Sequence, residues 1–325
     1  MAGRRAGWLV AALAMLAPAG AVDLAALHSP IVFAGDATTA YRDPAVYFHE
    51  GTFYLYFTFC SGSSNSPFYW QTAWSKSRDL VNWTPPQCFT PRDLNKNFSS
   101  PGCVVRDGAD FVLCLQTYPT PQPGQMYGDA SSRIWTMRSR DLEHWGPPRL
   151  LRVQGPAVPP EKMGRIIDAF LLRDKDDAAR WWCFYKLKGR VCASWSPNLE
   201  TWTPAGQGPG GENPCVIVDG RDYVLFHSPE NGIGVSRSAD LKTWRPGTTL
   251  TLGQKDWPWA QGRLTAGCVL DLRREPGVGK ALMFSHGSRY PEKDPRGGWG
   301  TYVSIGLAWS DDLEHWSWPG KSEVK

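Results

Sequence analysis

Beyond its first twenty or so residues the sequence has no apolar run approaching the ~20 residues that a membrane-spanning helix needs. It also lacks a basic cluster. With Arg4 and Arg5 set aside as part of a leader, 33 basic side chains face 31 acidic ones. Sustained nucleic-acid binding needs a cationic stripe, so that function class drops out. The balanced charge and an apolar content of 42% exclude a disordered chain as well. Nothing between the strand-like runs reads as a helix.

What the sequence does contain begins with a leader. Met1–Arg5 is a short basic start, Trp8–Leu16 an apolar stretch, and Ala19-Gly20-Ala21 a small-x-small pattern. This is the layout of a secretory signal peptide cleaved after Ala21, so the expected location is outside the cell or in the periplasm. No Cys follows the cleavage point, which argues against a lipid anchor there. Residues 22–325 are then expected to form one domain. Eight Cys in an exported chain invite disulfides. Two are expected, Cys103–Cys114 across a hairpin and Cys60–Cys88 between loops.

One pattern recurs five times: Ser77-x-Asp79-Leu80-x-x-Trp83, Ser139-x-Asp141-Leu142-x-x-Trp145, Ser196-x-Asn198-Leu199-x-x-Trp202, Ser238-x-Asp240-Leu241-x-x-Trp244 and Ser310-x-Asp312-Leu313-x-x-Trp316. Two strand-like runs joined by a turn precede each copy, with Glu50-Gly51, Asp107-Gly108 and Asp219-Gly220 as hairpin signals. A third strand leads into the repeat, and a fourth follows in places, as at Leu150–Val153 and Thr248–Leu252. Five four-stranded units predict a five-bladed β-propeller, an all-β single domain. The repeated Trp is expected to wedge between blades. Pro30–Ala34 is expected to complete the last blade and close the ring. Cys103, Cys215 and Cys268 share one register with Ala45 and Phe170, a blade-core position.

The first strand of a propeller blade lines the central channel, so residues just before it converge at one mouth. Read across the blades, that position carries Asp43, Pro101-Gly102, Asp168, Glu212-Asn213 and Ala266-Gly267. One Asp there is an ordinary turn former. Three acids together repel one another, a cost that points to use. Acids brought close have their pKa values pushed apart, which suits glycosidic-bond hydrolysis or binding of a hard cation. The second strands are expected to end at the same mouth with Thr58, Gln116, Lys186, His227 and His286, a polar ring for sugar hydroxyls. Aromatics left over include Phe68-Tyr69-Trp70, Tyr127, Trp257, Trp259, Tyr290 and Trp299. Their segments read as loops, and Trp70 is the candidate for stacking on a sugar.

Tyr41-Arg42-Asp43-Pro44-Ala45, Ile167-Asp168-Ala169 and Gly211-Glu212-Asn213-Pro214 resemble, in that order, the signature segments of glycoside hydrolase family 43. The Ser-x-Asp-Leu-x-x-Trp repeat is similar too, and the likeness covers essentially all of 22–325. The resemblance implies an inverting arabinofuranosidase, arabinanase or β-xylosidase, with Asp43 as general base, Glu212 as general acid and Asp168 tuning that acid. It also implies that His286 lies beneath the substrate and that Arg289 reaches a hydroxyl. No cofactor is required, and a structural calcium in the channel is the one ion it allows. The expected partner is an oligosaccharide or polysaccharide, with no nucleic acid and no membrane, bound by a monomer. Two departures stand out: Asn213 replaces a usual Gly, and Ala169 a common Pro. The alternatives are a retaining β-fructosidase-like enzyme, disfavoured by Arg42 before Asp43 and by the want of a second sandwich domain, and a non-catalytic carbohydrate-binding propeller.

Overall fold

The computed structural model describes residues 21–63, 66–122, 125 and 127–321. All of the expected leader except Ala21 lies outside them. Its strands form five antiparallel sheets. Blade one is Thr39–His49, Thr52–Ser63, Ser66–Ser77 and Gln87–Cys88; blade two is Phe98–Asp107, Asp110–Thr117, Ile134–Ser139 and Arg149–Leu150. Blade three is Ile166–Arg173, Trp181–Leu187, Arg190–Ser196 and Thr203–Gly210; blade four is Glu212–Asp219, Asp222–Ser228, Ile233–Ser238 and Arg245–Leu250. Blade five holds Arg263–Leu272, Lys280–Ser288 and Val303–Ser310, and its outer strand comes from the other end of the chain. Ile31–Phe33 pairs antiparallel with Val303–Ser310, which closes the ring as the sequence suggests. A two-residue strand, Trp316–Ser317, also pairs there and was not foreseen. No helix among the described residues is long and apolar enough to cross a membrane.

The repeated motif is a turn with a defined chemistry. Ser77 Oγ accepts from the Leu80 amide at 2.9 Å, and Asp79 Oδ1 accepts from Val81 and Asn82 at 2.9 and 2.7 Å. The Leu pays for this turn with a left-handed backbone: Leu80, Leu142, Leu199, Leu241 and Leu313 have φ of 65, 67, 62, 61 and 69°. Such strain costs about 1–3 kcal/mol. Each of these leucines is buried between strands, and burial of a Leu side chain returns about 1.5–3 kcal/mol. The Trp then packs across the blade boundary. Trp83 meets Phe284 of blade five edge-on at 6.1 Å, Trp145 meets Tyr56 of blade one at 5.5 Å, and Trp316 meets Phe226 of blade four at 6.2 Å.

Three expectations need correction. All eight cysteines are free thiols. Cys103 and Cys114 do face each other, but their sulfurs stand 3.4 Å apart and point at backbone carbonyls of blade three. Cys60 is buried beside Trp70 while Cys88 sits exposed on the outer strand, so that pair does not bridge. The segment around Phe68-Tyr69-Trp70 is not a loop: the hairpin of blade one extends to Ser63 and resumes at Ser66, so Trp70 pairs with Cys60 inside a strand. The fourth strands at 150–153 and 248–252 are instead Arg149–Leu150 and Arg245–Leu250.

Candidate active site

Every first strand breaks register once, between Arg42 and Ala45, Ser99 and Cys103, Ile167 and Phe170, Glu212 and Cys215, and Thr265 and Cys268. One residue in each bulge is left-handed: Asp43, Ser100, Asp168, Asn213 and Ala266, with φ of 50, 44, 58, 50 and 53°. Blade two therefore presents Ser100, not Pro101-Gly102. Asn213 is the true counterpart of Asp43 and Asp168, and Glu212 stands one residue earlier. This accounts for Asn213 where a Gly is usual, since Asn is among the few side chains that tolerate this conformation.

The bulge amides are held by the neighbouring blades in sequence. Thr58 Oγ1 accepts from the Ser100 amide at 2.7 Å, Gln116 Oε1 from Asp168 at 2.6 Å, and Ser228 Oγ from Ala266 at 2.7 Å. His286 Nδ1 accepts from Asp43 at 2.9 Å, which closes the circuit. The ring expected to hold sugar hydroxyls is thus largely committed to the backbone. The exception is blade three, where Lys186 has no acceptor to offer. The Asn213 amide turns instead to Asp168 Oδ2 at 3.4 Å, and Lys186 Nζ pairs with Glu212 Oε2.

This register also corrects His227. Ser228, not His227, lies opposite Glu212, and a slip of one residue sends a strand side chain to the other face. His227 lines a separate groove with Arg190 and Trp244 instead. Arg289 also falls outside the cavity. It is the residue after the strand that ends at Ser288, is exposed, and bonds the Tyr302 carbonyl through its amide at 3.0 Å.

The mouth is a cavity of about 360 Å³ lined by all three acids with Arg42, Trp70, Gln116, Tyr118, Arg165, Lys186, Arg263, His286 and Trp299 among others. Arg263, Glu292 and Trp299 also border a second lobe of about 500 Å³ that includes Glu230 and Tyr290. Below the acids, the throat narrows to about 30 Å³ between the bulges, room for one or two waters. Among the described residues no three His, Cys, Asp or Glu side chains converge to hold a metal, and His286 Nδ1 is already engaged. The residues do not fit a protein-held calcium, and no chemical step is routed through one.

The acids occupy unlike environments. Burial pushes the Asp43 carboxyl up, but Arg42 and the hydroxyls of Thr58 and Ser100 outweigh it, and its pKa is lowered. Both hydroxyls donate to Oδ2, at 2.8 and 2.9 Å. His286 lies 3.7 Å from Oδ1, yet burial pushes its own pKa down to about 3, so it acts there as a neutral acceptor. Asp168 is driven up to about 7, by burial first and then by the charge of Glu212. Glu212 is held low despite burial, because Lys186 and Arg263 grip both its oxygens, the latter at 2.9 Å. Of the two, Asp168 is the one pushed up and Glu212 the one held down, because both cations sit on Glu212.

Sequence reasoning did not anticipate the aromatic–arginine wall. The Arg42 guanidinium lies over Trp70 at 4.6 Å and Trp299 at 5.1 Å, and Arg263 lies over Trp299 at 5.5 Å. Trp70 also stacks on Tyr118 at 5.0 Å, so it supports Arg42 rather than offering a bare platform. Trp257 and Trp259 stack on each other in a separate cluster. One signal was available: Arg165 and Arg263 both stand three residues before a bulge.

No family model and no curated sequence matches the chain. Solved structures do match in shape. A thermostable family-43 glycoside hydrolase superposes with a TM-score of 0.59 at 17% identity, covering 89% of this chain and 96% of the other. The fold is that of the five-bladed propeller glycoside hydrolases. A family 117 glycoside hydrolase from the marine bacterium Zobellia galactanivorans gives a TM-score of 0.62 at 12% identity, over 86% and 87% of the two chains. The catalytic domain of a Coprinopsis cinerea family 62 α-L-arabinofuranosidase gives 0.58 at 13% identity, over 86% and 97%.

Proposed function

We propose that this propeller is an exported glycosidase that cleaves sugar chains with inversion, the activity being of arabinofuranosidase, arabinanase or β-xylosidase type. One observation carries the reading: three acids of contrasting charge state share a cavity of sugar size, one held ionised by hydroxyl donors and one holding a proton. The propeller hydrolases of like shape and the leader pattern support it.

On this reading Asp43 removes a proton from water as the oxygen attacks the anomeric carbon. Glu212 protonates the departing oxygen as its bond to that carbon breaks, so one water is consumed and one hydroxyl appears on each product. With Lys186 and Arg263 on its oxygens, Glu212 is held in its ionised form. Entry of a sugar displaces Lys186 from Glu212, removing one of the two cations that hold it charged, and the proton on Asp168 passes to it. Asp168 is thereby the reservoir of the catalytic proton. Arg42 and Trp299 wall the ring, and His286 holds the Asp43 backbone in place.

The direct test is the anomeric configuration of the first product, followed by proton NMR on a cleaved aryl glycoside. Inversion, with a loss of about a thousandfold or more in Asp43→Asn, is the expected result. A retained configuration would transfer the enzyme to a nucleophilic mechanism.

A further inference from the structure

Four cationic side chains line the cavity: Arg42, Arg165, Lys186 and Arg263. Three of them answer an acid. Lys186 and Arg263 grip Glu212, and Arg42 stands 3.8 Å from Asp43. Among the described residues Arg165 has no such partner. Its Nε donates to the Gly128 carbonyl at 3.1 Å and its Nη2 to the Tyr118 hydroxyl at 2.9 Å. Its guanidinium also lies 5.2 Å from the centre of the Tyr118 ring.

These partners are neutral: they fix the guanidinium without cancelling its charge. An ordinary surface arginine swings freely in water, whereas this one is half-buried and aimed by two hydrogen bonds and a ring. Such pre-orientation serves recognition of an anion, because the cost of ordering the side chain is met before the ligand arrives. The repeat sharpens the contrast. Arg165 and Arg263 occupy the same place in blades three and five, three residues ahead of the bulge. Arg263 has the Glu212 carboxylate, and Arg165 is left with the same charge and no acid. The wall also holds buried guanidinium nitrogens without partners, Nε and Nη1 of Arg42 and Nε of Arg263. A fourth carboxylate, Glu292, also lines the cavity, but its bond is to the Tyr127 hydroxyl and not to Arg165.

We propose that the oligosaccharide taken by this cavity carries, on a residue beside the pentose that is cleaved, an anionic group, the carboxylate of a uronic acid or a sulfate ester, and that Arg165 selects it. The cleavage of that oligosaccharide rests on the glycosidase reading, but its binding does not.

Calorimetric titration of the full chain carrying Asp43→Asn separates the two. The ligands are pentose-bearing oligosaccharides that carry, beside the pentose, a galacturonate, a sulfated galactose or the neutral galactose counterpart. One anionic arm is expected to bind at least about tenfold more tightly than the neutral one, the usual worth of a charge-assisted hydrogen bond. The arm that does so names the anion. That advantage should vanish in Asp43→Asn/Arg165→Gln, return in part with Arg165→Lys, and shrink with added salt, while neutral binding stays unchanged. Equal or tighter binding of the neutral arm overturns the proposal. So does an anionic preference that survives Arg165→Gln, or binding of none of the three. Cleavage of neutral glycosides without anionic preference would sink this inference alone, while anionic binding without cleavage by the wild type would sink the glycosidase reading alone.

Discussion

Asp168 and Glu212 divide a single proton, and their surroundings decide which of them holds it. Glu212 has two cations on its oxygens; Asp168 has a distant amide, burial and the negative charge of its neighbour. The folded chain therefore keeps a proton on Asp168 up to about 7, whereas an ordinary Asp loses it near 3.8. The stabilisation linked to that proton is complete below the ordinary value and is lost as pH rises towards 7. Asp168→Asn removes the dependence. Its melting temperature should gain on the wild type by a few degrees between pH 5 and pH 8, and thermal melts across that range check this. Asp43 has the opposite sign, since its donors favour the ionised form. Thr58→Val deletes one donor, so the acid limb of the pH–rate profile should move to higher pH. A limb that stays in place would mean that Asp43 is not the base.

At the scale of the element, two devices repeat five times: the Ser-x-Asp-Leu turn and the left-handed bulge. The turn was legible in the sequence because its chemistry is local. Ser139→Ala strips the acceptor from the buried Leu142 amide, found at 3.0 Å, and should cost about 1–3 kcal/mol in denaturant unfolding. The bulge was only half legible. Asp43, Asp168 and Glu212 announced themselves through short motifs in the expected order. The extra residue in each first strand was hidden, and with it the one-place offset between Glu212 and Asp43. His227 was misread for that reason: counting along a strand from the wrong side of a bulge reverses its faces. The arginines were hidden for another reason, since what Arg42 or Arg165 touches depends on which blade lies opposite. At Asn213 the bulge makes a specific demand. Asn213→Gly should leave stability within about 1 kcal/mol of the wild type, whereas Asn213→Val should lose about 1–3 kcal/mol to the left-handed backbone.

The whole molecule is closed by its two ends, with Ile31–Phe33 laid along Val303–Ser310. Phe33 stacks with Tyr41 at 5.3 Å, packs tilted against Phe57 at 5.2 Å, and meets Trp83 edge-on at 6.2 Å, so the closing strand is seated in blade one as well as blade five. Deleting residues 22–34 should lower the melting temperature by ten degrees or more and broaden the transition. Unchanged melting would show that the ring holds without this strand. Closure, blade count and the wedging Trp were all readable from the repeat, because a propeller is one unit iterated and its errors do not accumulate. The free thiols were not, since facing cysteines in a hairpin and bridged ones share one sequence pattern. Closure matters for the site because Asp43, Asp168 and Glu212 come from three blades and meet only when the ring is complete.

The central claim is that these acids break glycosidic bonds. It is tested most directly by an aryl-glycoside panel of arabinofuranoside, xyloside, galactofuranoside, fructoside and glucuronide, given to the wild type, Asp43→Asn and Glu212→Gln, each checked for native melting. Hydrolysis by the wild type that falls about a thousandfold or more in both variants is the predicted result. Wild-type binding of oligosaccharides without cleavage of any, unchanged in both variants, would contradict the account and leave a carbohydrate-binding propeller.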